Sequence, residues 1–118
     1  MPVWGEVEPE PEVSQWLLGL SRERFGRVRF YIDLLEERGV LLGEPYTRQL
    51  DGKLRELRFH VEAEQYRIAY YIASGRRIVL LTVFHKAEQQ APAEVERARQ
   101  AMVRCIAEGH TAEAADGY

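Results

Sequence analysis

Two arginines, Arg58 and Arg67, lie in a stretch where apolar and polar residues alternate, and the turn between them decides whether they meet. A loop centred between Glu62 and Ala63 sets Arg58 opposite Arg67, Leu57 opposite Ile68 and Phe59 opposite Tyr66. The apolar residues then share one face and the guanidiniums the other. Like charges opposed across strands repel unless an anion or a carboxylate sits between them, so this closeness is a cost to folding and a candidate phosphate clamp. Glu56, on the same strand, is a candidate carboxylate base or the partner that neutralises one of the arginines, the second being the expectation. A three-residue turn, Ser74-Gly75-Arg76, next sets Arg67 opposite Val83, with His85 two residues further along the same face and about 7 to 8 Å away diagonally. An imidazole changes protonation near neutral pH, and neighbouring cations favour its neutral form, so His85 is expected to act as a base. His60 is a lesser candidate for the same work. Lys53 and Arg55, at the start of the strand, can be reached by a phosphate backbone, and such contacts are salt-sensitive rather than sequence-reading. Tyr71, on the Arg67 face, is the candidate for stacking on a base, whereas Tyr70 and Phe84 are expected in the core. Cys105 is read as a packed apolar group.

The elements that must hold these side chains can be read from periodicity and punctuation. Val3, Trp4 and Val7 suggest a short strand within residues 1–9. Pro11 then opens a helix whose Val13, Trp16, Leu17 and Leu20 lie on one face, and Ser21 caps a second, with Phe25, Val28, Ile32 and Leu35 as its stripe and Gly39 as its stop. Residues 11–38 thus form a helical hairpin. After Gly43-Glu44-Pro45 the period changes to alternation, and residues 54–86 read as a meander of three antiparallel strands. The last of these, Ile78 to Phe84, is apolar on both faces and should be covered on both sides. Pro92 opens a final helix over 92–108, with Glu94 and Glu96 in its first turn, and 110–118 reads as a frayed tail. The fold class is α+β: one small domain over 1–118, with an antiparallel sheet of three or four strands, a helical hairpin on one face and a C-terminal helix. The other sheet face is expected to be an open, concave, basic surface.

Composition bounds the function. The 118 residues suit one core, and 46% hydrophobic residues are too many for a disordered chain. One cysteine removes a disulfide framework and any cysteine-based zinc site; no metal and no cofactor are expected. No apolar run is long enough to span a membrane, and the acidic start has no secretory-signal pattern, so a cytoplasmic, membrane-free protein is expected. The net charge of −3 argues against a general nucleic-acid coat, yet residues 43–86 hold eight basic against five acidic side chains. An anionic partner would meet the middle of the chain.

The runs LRELRFHV, QYRIAYYI and IVLLTVFHKAEQQAPAEVERA, following two helices, resemble the RelE/ParE toxin superfamily in its HigB-like, phage-related branch. The resemblance covers residue 3 to about residue 107. It rests on Leu57-Arg58, Tyr66-Arg67, Phe84-x-Lys86 and the Gln-x-x-Pro of 89–92. It implies the toxin of a type II toxin–antitoxin pair, commonly a metal-independent endoribonuclease acting on ribosome-associated mRNA. Its antitoxin would be encoded beside it, with a helix-turn-helix domain expected. In that setting Arg58 and Arg67 would stabilise charge developing on the phosphorane, His85 would transfer the proton, Lys86 would complete the catalytic set while facing the RNA, and Lys53, Arg55 and Tyr71 would bind the RNA. Many relatives carry a second Lys after Lys86, where this chain has Ala87. The alternative within the superfamily is a non-catalytic inhibitor of a protein such as DNA gyrase, or a degenerate member.

Overall fold

A computed structural model describes residues 3–85 and 92–109. Along the chain run β1 (Glu6–Pro9), α1 (Pro11–Leu18), α2 (Arg22–Arg38), a 3₁₀ turn (Gly39–Leu41), β2 (Thr47–Asp51), β3 (Leu54–Val61), β4 (Glu64–Ala73), β5 (Arg77–His85) and α3 (Pro92–Ala107). The helix boundaries follow the punctuation. Pro11 occupies the first turn of α1, where its missing N–H costs nothing. The Ser21 hydroxyl accepts the Arg24 N–H at 3.3 Å and caps α2.

The strands form one sheet in the order β1-β5-β4-β3-β2. Five strands replace the three or four expected, and the sheet is mixed, because β1 runs parallel to β5 along the far edge. The other addition, β2, pairs antiparallel with β3 from Thr47↔Leu57 to Asp51↔Leu54. A five-residue edge strand with one buried side chain has too little apolar alternation to announce itself. The meander β3-β4-β5 is as read, and β5 is covered on both faces.

One face of the sheet carries α1 and α2: Val13, Val28, Ile32 and Leu35 bury against Leu57, Phe59, Ile68, Tyr70, Ile78 and Leu80. The opposite face is not the open surface expected. There α3 lays Ala98 and Cys105 on Leu54, Ala69, Tyr71, Ala73, Val79 and Leu81, burying these apolar side chains. The strand ends that carry Arg58 and Arg67 remain beside an open cleft.

Gly39, after α2, has φ +50°, and a Cβ there would lie 2.1 Å from the Trp4 indole, which fills the space. Gly39→Ala should therefore destabilise the fold by about 2 kcal/mol or more, through left-handed strain and displacement of Trp4. Urea denaturation checks this; a loss below about 0.5 kcal/mol would contradict the packing described.

Candidate functional site

β3 and β4 meet through the two-residue turn Glu62-Ala63, with Val61 opposite Glu64, and the register carries Arg58 opposite Arg67. The carboxylate that a pair of facing guanidiniums requires is Glu56. It is fully buried, its Oε2 lies 3.0 Å from Arg67 Nη1 and 3.8 Å from Arg58 Nε, and Arg67 Nη1 donates to both of its oxygens. Burial pushes the Glu56 carboxyl above the usual carboxylate range, and Arg67, then Arg58, pull it down. The Arg58 side chain is 30% exposed and Arg67 3%, so Arg58 is the member of the pair that reaches solvent. Arg67 is a fixed charge behind it.

The pair borders a cleft of about 300 Å³ at the end of the sheet, where β2 has stopped and β3 continues. Arg58, Arg67, His60 and Gln65 line it together with the rings of Tyr31, Tyr46 and Tyr66. His60 is exposed, faces Gln65 across the strands, and stands two residues from Arg58 on the same strand face. Tyr31 from α2 and Tyr46 from the approach to β2 escaped the sequence reading. Tyr31 borders the apolar stripe of α2, and Tyr46 follows Pro45 in a loop, so neither falls in a periodic pattern that marks function.

His85 is not where the turn geometry put it. Ala73 faces Arg77, as the three-residue turn requires, and the register holds to Tyr70 opposite Leu80. Then β5 carries one extra residue, so that Ala69 faces Thr82, Arg67 faces Phe84 and Tyr66 faces His85. A one-residue bulge sends every later side chain to the other face. His85 thus lies with Tyr66 on the α1–α2 side. Its Nε2 is 3.2 Å from Glu64 Oε2 and its ring centroid 5.0 Å from that of Tyr66. Arg24 completes this cluster, donating to the Tyr66 hydroxyl at 3.0 Å and to Glu62 at 3.2 Å.

The remaining candidates are scattered. Arg55 points to the α1–α2 face, half-buried, donating to the Tyr70 hydroxyl at 3.4 Å and to Thr47 Oγ1 at 3.2 Å. It braces the core there and does not join Arg58. Lys53 is exposed in the β2–β3 turn, five residues from Arg58 and so about 17 Å along the strand. Tyr71 does share the Arg67 face but is wholly buried beneath α3, its hydroxyl 3.5 Å from Cys105 Sγ, with no ring face left for a base. Tyr70 and Phe84 are core residues, and burial pushes the Cys105 thiol above its ordinary range, as befits a packed group. Lys86 lies outside the described residues. Among the described residues no group of three or more His, Cys, Asp or Glu side chains is placed to hold a metal ion, and no helix is long and apolar enough to cross a membrane.

The model of the phage-derived Gp49-like protein family matches residues 15–103, a segment that includes α2, the whole meander and most of α3. The chain belongs to that family. Gp49-like proteins fall within the RelE/ParE-like toxin superfamily and are typically toxin-like, in a toxin–antitoxin context with an antitoxin partner. No match is found among curated proteins. The matched segment contains every residue that forms the cleft, from Tyr31 to Arg67.

Proposed function

We propose that this Gp49-like protein is a HigB-like toxin of a type II toxin–antitoxin pair, and that it cleaves ribosome-associated mRNA without a metal in the cleft headed by Arg58. The observation that carries this reading is the opposed pair Arg58 and Arg67 over the buried Glu56, beside a cleft lined by three tyrosines. A phosphodiester held there would meet the exposed Arg58 guanidinium. Arg67, pinned by Glu56, adds a second positive charge that need not reorganise as the phosphorane forms. His60, on the same strand face, takes the 2′-hydroxyl proton as the 2′-oxygen attacks phosphorus. The P–O5′ bond breaks, and the 5′-oxygen leaves with a proton from solvent, giving a 2′,3′-cyclic phosphate and a 5′-hydroxyl end. Bases flanking the scissile bond stack on the tyrosines.

The two histidines separate this mechanism from the one expected of His85. His60→Ala should slow single-turnover cleavage by about 100-fold with little change in RNA affinity, whereas His85→Ala, on the other face, should change the rate by less than about threefold. Cleavage assays on purified variants decide. A large loss confined to His85→Ala would overturn the assignment.

A further inference from the structure

We infer that the RNA strand, after leaving the cleft, continues across α2 through a second groove built on Phe30 and Arg27. This rests on the nuclease reading and extends it to flanking nucleotides. The second groove, lined by Glu23, Gly26, Arg27, Phe30, Tyr31 and His60, shares Tyr31 and His60 with the cleft and so adjoins it. Its floor opens at Gly26, where an added Cβ would meet nothing within 4 Å. Phe30 is 61% exposed on the solvent side of α2, a position where a large apolar ring gains nothing from the core. Its ring stands edge-on to Tyr31 at 5.2 Å. Tyr31 stacks on Phe59 at 5.4 Å and lies 6.4 Å from Tyr46, and Phe59 lies 6.1 Å from Tyr66, making an unbroken file of rings that begins at Phe30 and ends in the cleft. Arg27 is exposed at one end of this file and makes no ion pair among the described residues, and Arg58 stands at the other. Phe59 is buried and only links the file; Phe30 and Tyr46 are its exposed rings, and exposed rings flanked by guanidiniums match single-stranded nucleic acid, whose bases stack without regard to sequence while its phosphates take the cations.

The probes are two single-stranded RNAs, a trinucleotide that fills only the cleft and an oligonucleotide of about twelve residues, with affinity read by fluorescence anisotropy. Phe30→Ala should weaken the longer RNA about tenfold, and Arg27→Gln should weaken it and lower its salt dependence. Trinucleotide binding should change by less than about twofold. Both side chains are exposed, and unchanged melting temperatures would exclude misfolding. Equal affinity of parent and both variants for the longer RNA, in a parent that cleaves, overturns the groove and leaves the nuclease reading intact. A parent that does not cleave removes that reading instead. Unchanged RNA affinity with weakened antitoxin binding overturns the groove in favour of a protein occupant.

Discussion

Replacing Glu56 with alanine should destabilise the protein by about 3 to 5 kcal/mol. Glu56 is fully exposure-free and is the carboxylate between two guanidiniums. Without it Arg67, itself almost wholly buried, becomes an uncompensated charge directly opposite Arg58. The same logic reverses the effect of losing Arg67 that repulsion alone would suggest. Arg67→Ala does not relieve a bare clash; it takes both hydrogen bonds from the buried Glu56 carboxylate, leaving Arg58 Nε at 3.8 Å and the charge of Arg48 as compensation, and should also destabilise. Removing both members, as in Glu56→Leu with Arg67→Met, should recover most of the stability, because a well-packed apolar pair is often as stable as the buried ion pair it replaces. Urea denaturation of Glu56→Leu, Arg67→Met and the double variant measures this. Additive losses would show that the two side chains do not act as a pair.

Arg58→Ala should behave in the opposite way, sparing the fold and harming chemistry. Its side chain is partly exposed, and its removal leaves Glu56 fully engaged by Arg67 Nη1. Stability should change by no more than about 1 kcal/mol. If the guanidinium meets charge that develops on the phosphorane, its loss should cost about 3 kcal/mol in the chemical step, or about 100- to 1000-fold in single-turnover rate, with a smaller loss in RNA affinity. Arg58→Lys should recover only part of the rate, since an ammonium lacks the planar pair of donors. An equal fall in affinity and rate would make Arg58 a binding residue alone.

Much of this framework is legible in local chemistry. Pro11, Ser21 and Gly39 bound the helices because each satisfies a terminal requirement of its own turn. The Arg58–Arg67 register is readable because the alternation of Leu57, Phe59, Tyr66 and Ile68 permits one hairpin alignment. Glu56 follows from the need to neutralise facing cations. The placement of His85 is illegible for the converse reason. Leu80, Leu81 and their neighbours are buried on both faces of β5, so no alternation pins that strand, and the extra residue leaves no trace in the sequence. The burial of Tyr71 depends on α3 docking across the sheet, a tertiary choice that strand periodicity does not encode. The same holds for β1, whose four residues take a parallel partner distant in sequence.

Whether the cleft headed by Arg58 cuts RNA is decided by mapping RNA 5′ ends after induction in a host lacking the antitoxin. The parent should cause growth arrest with new 5′-hydroxyl ends inside translated messages, and an equally abundant, folded Arg58→Ala variant should cause neither. Growth arrest by the parent without new ends, or the same ends from Arg58→Ala at the same rate, would contradict cleavage in this cleft.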